Sequence, residues 1–595
     1  MKITPNSLTL NQLFSSKNEQ FIIPAYQRRY SWRERQIYEL IEDVDLLENG
    51  ETHLLGSIVC LTGNHTAGLN HLELVDGQQR ITTISIILEC IRERFSYEGE
   101  IEKVGELTWL LTAKSVAGES QPKIALDSID GSEFRLLVAG HADRIDLVFK
   151  NLHLKGAFAI IREWISKLSL KELNVFLYKM QNHALIIRLD INEAKDAFKL
   201  FETINNRGLK LSATDVIKNF VLGNAARFGS QELNDAREKW ASLVSFLDGV
   251  DTDSFFRYFV ISSTQKRITN SQVVPEFKWL FMNEVREADK LPERHLYADE
   301  EELDEDDPSD AANVEDIALE RAGTAHMTFN EFLQKVVVSA RVFGELILIR
   351  TGKKNIDRHL RNLKMIKSAQ TYGFLMHLRV GGISDKEFIK VLKLTENFIL
   401  RRHVCRERSN ETEALFARLC SVSPQDPVDE IIDRYKEACP SDDKFREEFA
   451  SASFTSNIID RARYCLEQIE LTKHGDYSEL DILGAESVHV EHIIPQKIKT
   501  AASRNQFGDW VSYLGEKSEI LHPKLVGRIG NLTLFSGELN IEASNNPFLN
   551  KRKIYKNSAI QITKELSTLP SFKFRQVEER SKGLADIAVA RWPSP

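Results

Sequence analysis

The residues best equipped for chemistry lie in Val488-His489-Val490-Glu491-His492-Ile493-Ile494-Pro495. Phosphodiester cleavage needs an activated water, a Lewis acid at the phosphate oxygens and help for the leaving oxygen, and a histidine beside a carboxylate can supply two of these roles. The alternation of the segment predicts a strand. Neighbouring strand residues face opposite sides, so Glu491 and His492 converge only through a bend or on a metal reached from the backbone edge. Oxygen ligands suit magnesium or manganese better than zinc. Arg528-Ile529-Gly530-Asn531-Leu532-Thr533-Leu534-Phe535 predicts a second strand after a polar loop, and Asn546 to Ile560 a basic helix with Lys551, Arg552 and Lys553. Singly, these residues also read as plain strand histidines and an asparagine capping a turn.

A second constellation is Asp76-Gly77-Gln78-Gln79-Arg80, between a predicted strand and a predicted helix. Glycine there allows close backbone approach, and exposed amides at a helix start favour phosphate. Arg80 can clamp phosphate oxygens, and Asp76 can hold a metal ion or orient water. No G-x-x-x-x-G-K-[ST] loop surrounds it, and a helix-start turn with a surface arginine fits equally well. Near the N-terminus, Tyr26-Gln27-Arg28-Arg29-Tyr30-Ser31-Trp32 interleaves aromatics with Gln and Arg, which suits base stacking and phosphate contact or, equally, a packed turn.

The elements that must position these groups are partly legible. Strands are expected at Leu54–Leu61, His71–Val75 and Leu185–Ile191. Helical spacing runs through Ile81, Ile84, Ile87, Leu88, Ile91 and Phe95. Another helix spans Ala194 to Ile204 and breaks at Asn205-Asn206-Arg207-Gly208; Ser212 and Asp215 form a capping box for the next. From about 225 to 480 the pattern is helical, notably at Phe329–Ile349 and Phe388–Leu400. Nine of the twelve positions from Asp299 to Asp310 are acidic, which marks a solvated loop.

At 595 residues the chain exceeds one core, and two to four domains are expected. No apolar run approaches membrane-spanning length, and the first twenty residues lack signal-peptide character, so a cytoplasmic protein is expected. The six cysteines form no CxxC pair, which argues against a thiolate zinc site. The net charge of −9 decides little about nucleic acid, because basic clusters such as Arg401-Arg402 coexist with it.

The segment V-E-H-I-I-P, followed by G-N-L-T-L with Asn531 and Asn540 nine residues apart, resembles the HNH domain of GmrSD-like type IV restriction nucleases. The resemblance implies a ββα-metal fold with His492 as general base, Glu491 and Asn540 as metal ligands, and Asn531 fixing the loop beneath the site. His489, Lys551 and Lys553 become candidates for phosphate contact or metal support. Glu491 departs from the usual Asp or His, which leaves the choice of metal open. Ile23 to Trp32, Asp76 to Thr83, and Phe201 to Gly208 with Leu211, Ser212 and Asp215 resemble the three hallmark segments of the same family's N-terminal domain. That domain is related to the ParB/sulfiredoxin fold, binds and hydrolyses a nucleoside triphosphate, commonly GTP, and regulates the nuclease. SspE-like relatives sense phosphorothioate DNA. The resemblance covers most of residues 10–225 and 485–560; in the middle it rests on Leu400 to Cys405.

The expected protein is therefore a multidomain, predominantly helical α+β chain. Residues 1–225 form a ParB/sulfiredoxin-like nucleotide-binding and sensing domain, 226–480 a helical bundle with the acidic loop, and 481–595 an HNH nuclease. Candidate nucleotide contacts are Asp76, Gly77, Gln78, Gln79, Arg80, Thr82, Asn205 and Arg207, with Asp76 and Arg80 also catalytic. Candidate DNA or sensing contacts are Tyr26, Gln27, Arg28, Tyr30, Trp32, Arg401, Arg402, His489, Lys551 and Lys553. Expected partners are a divalent metal, a nucleoside triphosphate and DNA, including modified phage DNA, with a homodimer plausible and no membrane. The other reading is a ParB-like, nucleotide-dependent DNA-binding switch whose HNH-like domain is only structural.

Overall fold

A computed structural model describes residues 4–48, 50–66, 68–116, 118–127, 130–138, 149–205, 212–290, 327–455, 458–475, 488–498, 510–536 and 545–595. The acidic block lies outside them. The chain is a multidomain α+β protein, predominantly helical. Two compact units make it up: Met1–Val260 with Ile268–Arg341, and Ile261–Arg267 with Val342–Pro595. Helices between residues 226 and 480 belong partly to one unit and partly to the other.

The first unit is built on a six-stranded mixed sheet. Its strands are β1 (Thr4–Thr9), β2 (Glu19–Ile23), β3 (His53–Thr66), β4 (Leu69–Asp76), β7 (Ile124–Leu126) and β8 (Ala184–Ile191), in the order β1-β8-β3-β4-β2-β7. Two short strands, β5 (Thr112–Lys114) and β6 (Ser120–Pro122), pair separately. Strands β3, β4 and β8 coincide with the runs of β-branched and leucine residues in the sequence. β1 escapes such a reading, because Thr-Pro-Asn-Ser-Leu-Thr has no apolar alternation; antiparallel pairing with β8, from Thr4 opposite Asp190 to Thr9 opposite Leu185, makes it a strand.

The helix Gln78–Glu98 leaves β4 through Gly77 and runs through the core. Ile81, Ile84, Ile86, Ile87, Leu88, Ile91 and Phe95 are all buried, alongside Ile58, Cys60, Leu72 and Leu74 of the sheet. Every residue from Ile81 to Ile91 is buried, the polar Thr82, Thr83, Ser85 and Glu89 included, so the helix is enclosed and is the axis on which the motif loops are hung. Ser212 is an N-cap: its hydroxyl accepts from the Asp215 N–H at 3.1 Å, donates to the Asp215 carboxylate at 2.9 Å and starts the helix Ala213–Phe228.

The second unit is a helical assembly that includes Asp385–Val404 and carries one antiparallel hairpin, β9 (Val488–His492) with β10 (Leu532–Ser536). Between these strands, where the sequence suggested a loop, the chain forms short helices at Trp510–Leu514 and Ser518–Leu525. The basic helix expected over residues 546–560 is confined to Phe548–Tyr555, and a long helix, Phe574–Arg591, follows. All six cysteines are free, five of them buried. Among the described residues no helix is long and apolar enough to cross a membrane.

Candidate functional site

The hairpin pairs His492 with Leu532 and Glu491 with Thr533. Asn531 is fully buried and locks the turn that follows His492. Its side-chain oxygen accepts from the Ile494 N–H at 2.8 Å, and its amide donates to the Ile494 and Val526 carbonyls, each at 2.9 Å. Its own carbonyl accepts from the Ile493 N–H at 2.9 Å. Gly530 before it is required by space: an added Cβ would stand 2.1 Å from the Val577 carbonyl of the Phe574–Arg591 helix. That helix also inserts Arg580, which donates to the carbonyls of Gly530 and Leu532.

His492 is half-buried, and its Nε2 faces the Gln496 side-chain amide at 3.2 Å. Burial, then the charges of Lys551 and His522, push its pKa down to about 4. The ring is therefore neutral at pH 7, with Nε2 as the acceptor from Gln496. His522 arrives on the Ser518–Leu525 helix, its Nε2 2.8 Å from the Pro495 carbonyl.

Glu491 is buried, and Lys551 lies within hydrogen-bond distance of both motif residues. The Lys551 Nζ stands 2.5 Å from Glu491 Oε1 and 2.9 Å from the His492 carbonyl. Burial raises the Glu491 carboxyl and lowers the Lys551 ammonium, while each charge opposes the shift of the other. Lys551 has no exposed surface, so it does not face a phosphate as the basic-helix reading implied. The reason is its position: Phe548, Lys551 and Tyr555 fall at i, i+3 and i+7 on one stripe of the helix, and both aromatic rings are buried. That stripe was visible in the sequence. His489 and Lys553 remain exposed. Asn540 lies outside the described residues.

The described residues contain no group of three or more His, Cys, Asp or Glu side chains able to hold a metal ion. The Glu491 carboxylate and the His492 carbonyl nevertheless hold a cation already, the Lys551 ammonium. Oxygen donors of this kind suit a hard divalent ion, provided that the ammonium moves.

In the first unit, the segments around Tyr26, Asp76 and Asp215 converge. Gln79 is buried, accepting from the Ser31 N–H at 2.8 Å and donating to the Arg29 carbonyl at 3.1 Å. Gln27 donates to the Leu74 and Val75 carbonyls and accepts from Lys218 Nζ at 2.6 Å. The Tyr26 hydroxyl donates to Glu73, which also pairs with Arg237, and the Tyr30 hydroxyl meets Thr83. Tyr26, Gln27 and Tyr30 are each under 5 % exposed, which corrects their assignment to DNA or sensing: these are packed, hydrogen-bonded side chains. Trp32 is half-buried against the same core; Arg28 stays exposed.

Of this cluster, Arg28, Asp76 and Arg80 keep exposed surface, while Asp215 and Lys218 lie beneath them as a buried pair. Asp76 is half-buried, and burial raises its pKa while Arg80 and Lys218 pull it back. Arg80 donates to the Ser57 carbonyl at 2.9 Å. Burial alone would raise the Asp215 carboxyl, but Lys218 and Arg28 bring it below its ordinary value. Lys218, a residue with no motif signal of its own, is buried 3.4 Å from Asp215. Three cations and two carboxylates thus gather where the Gln78–Glu98 helix begins. Thr82 is 2 % exposed and lies inside the packing, and Gln78 and Gln79 are buried as well, so the direct nucleotide contacts expected of them are not presented. Asn205 ends the helix Ala194–Asn205 without a described side chain, and Arg207 lies outside the described residues.

Gly77 makes this turn. Its φ is +90°, and an added Cβ would meet Ile58 Cγ2 at 2.6 Å. Gly77→Ala is expected to destabilise the unit by roughly 2–4 kcal/mol, from the left-handed backbone and the overpacking together. Urea unfolding checks this, and an unshifted transition would show that the turn relaxes freely.

Arg401 and Arg402 are the other correction. Both are buried in the last turn of Asp385–Val404. Arg401 donates to the Trp592 and Pro440 carbonyls and pairs with Asp442. Arg402 donates to Thr412 and to the Ala438 carbonyl. Neither guanidinium faces DNA; both satisfy carbonyls at helix ends.

No curated protein matches the chain. Two family models do: that of the GmrSD restriction endonuclease N-terminal domain over residues 10–222, and that of the GmrSD restriction endonuclease C-terminal domain over residues 439–587. The first covers the motif cluster and the sheet apart from β1, the second the hairpin with Glu491, His492, Asn531 and Lys551. The chain belongs to the GmrSD family of restriction endonucleases.

Proposed function

We propose that this restriction endonuclease is an anti-phage enzyme of the cytoplasm that nicks or cuts DNA at the β9–β10 hairpin, under control of a nucleoside triphosphate bound by the N-terminal unit. The observation that carries the reading is His492, a neutral imidazole at the end of a strand whose following turn is clamped by Asn531. A neutral ring is the form that accepts a proton from water. Once water replaces the Gln496 amide at Nε2, that nitrogen receives the proton while the water oxygen attacks phosphorus; the P–O bond to the leaving sugar oxygen breaks, and that oxygen takes a proton from solvent. Glu491 and Asn540 are the proposed ligands of a magnesium or manganese ion, which when bound would supply Lewis acidity at the phosphate. His489 and Lys553, both exposed, are the proposed phosphate contacts.

In the first unit, Arg28 and Arg80 beside a helix start offer charge complementarity to a triphosphate, and GTP is the nucleotide proposed. Asp76 is suited to orient water or a metal ion. Cutting both strands calls for two such sites, and hence a homodimer.

The test is incubation of the full chain with a panel of modified and unmodified phage DNAs, magnesium or manganese, and each nucleotide, followed by analysis of nicks. Nucleotide-dependent cleavage is expected. Tight nucleotide-dependent binding with no cleavage of any DNA would replace this reading with that of a DNA-binding switch. Asp76→Ala and Arg80→Ala should each reduce nucleotide hydrolysis by roughly 10- to 100-fold, as loss of a charge-assisted contact does. Unchanged turnover in both variants would remove the cluster from the model.

A further inference from the structure

Lys551 stands where a cation is held by the nuclease motif. Its Nζ contacts Glu491 Oε1 and the His492 carbonyl, and the residue is wholly buried. Glu491 is itself 8 % exposed, so little of its carboxylate is left for solvent or a dissolved ion. A divalent ion and an ammonium repel each other, and one buried carboxylate does not serve both at contact distance. Resting on the reading above, in which a divalent ion serves this hairpin, we propose that Lys551 is a displaceable internal cation: it occupies Glu491 in the metal-free protein, and metal entry requires its ammonium to leave.

Two further features support exchange over a permanent pair. The lysine stem is long and flexible, so the ammonium can relocate without moving the helix. One turn along, the Tyr555 hydroxyl is fully buried and finds no hydrogen-bond partner among the described residues. The Glu491 charge is among the influences that raise this phenol, which places it in the same interior. An unsatisfied donor there is costly in the resting form and can bond to a carboxylate oxygen that the ammonium vacates. The device would keep an idle nuclease from holding metal at low concentration.

The test uses full-length protein without DNA or nucleotide. Manganese binding is followed by the electron paramagnetic resonance signal of the free ion, for the parent chain, Lys551→Met and Glu491→Gln. Lys551→Met should bind manganese roughly 5- to 100-fold more tightly, the range of a typical coupling between two ligands. Unchanged or weaker binding overturns the proposal. Should Glu491→Gln bind as tightly as the parent chain, the fault lies in the metal reading of Glu491 instead. A second measurement needs no variant: lysine-reactive labelling with mass spectrometry on the parent chain. Lys551 should be protected without manganese and become reactive as the ion saturates. Protection that persists at saturation means that the ammonium does not leave, and the proposal fails.

Discussion

His492→Ala is expected to lower DNA cleavage by about 10²–10⁴-fold, the usual contribution of a general base, while the protein stays folded. The side chain is half-buried and its ring makes one hydrogen bond among the described residues, to Gln496, whereas the turn around it is held by Asn531. Removing the ring therefore takes away the proton acceptor and leaves the scaffold. Melting curves of the parent chain and the variant should nearly coincide, and a plasmid-nicking assay reads the loss. A variant that still cuts at the parent rate would move the base elsewhere, with His489 the next residue to test. The same ring sets the acid limb of the pH profile. Its pKa is depressed to about 4, so the neutral form persists from pH 7 down to about pH 5, and cleavage should decline only as pH approaches 4. The linked stability has the same sign. Because the folded pKa lies below the ordinary value of about 6.5, the stability tied to the neutral ring is full above that value and is lost as pH falls through 4. A limb near 6.5 would show that His492 is not the group titrating.

Arg401→Met should destabilise the second unit by about 3–5 kcal/mol and leave the DNA affinity of the folded protein unchanged. Removing the donor of two charge-assisted hydrogen bonds to backbone carbonyls costs about that much, because the carbonyls lose their partner inside the packing, whereas Asp442 is half-exposed and contributes little. Here the orphans would be the Trp592 and Pro440 carbonyls, with Asp442 losing its cation, and the guanidinium also lies over the Phe445 ring at 4.8 Å. Urea unfolding measures the first effect, and a salt-dependent DNA-binding titration the second. Weaker DNA binding with unchanged stability would restore Arg401 to a nucleic-acid surface. That outcome conflicts with a side chain that exposes nothing to solvent.

The two arginines illustrate where reading along the chain stops. Arg401-Arg402 and Lys551-Arg552-Lys553 are the same signal in sequence, clusters of positive charge on helices. Yet Arg401, Arg402 and Lys551 are interior, while Lys553 alone among these faces solvent outright. For Lys551 the answer was present in the i, i+3, i+7 spacing with Phe548 and Tyr555. For Arg401 it was not, since its acceptors come from Pro440 and Trp592, 39 and 191 residues away. The aromatic loop from Tyr26 to Trp32 was open in the same way. Residue types allowed stacking or packing, and the hydrogen bonds to Glu73, Leu74, Val75 and Thr83 decide for packing.

What the sequence determined by itself was local: strand alternation at Val488–His492, the glycine that turns β4 into its helix, the N-cap at Ser212, and the short motifs that mark the family. Each depends on residues within a few positions of one another, where backbone sterics and periodicity act. Only the tertiary structure decided that Lys218 joins Gln27 to Asp215, that Lys551 holds Glu491, and that Arg401 is a strut. Those outcomes turn on which distant groups share a dry interior. There a charge must be paired or shifted in pKa, and residue type alone does not name the partner.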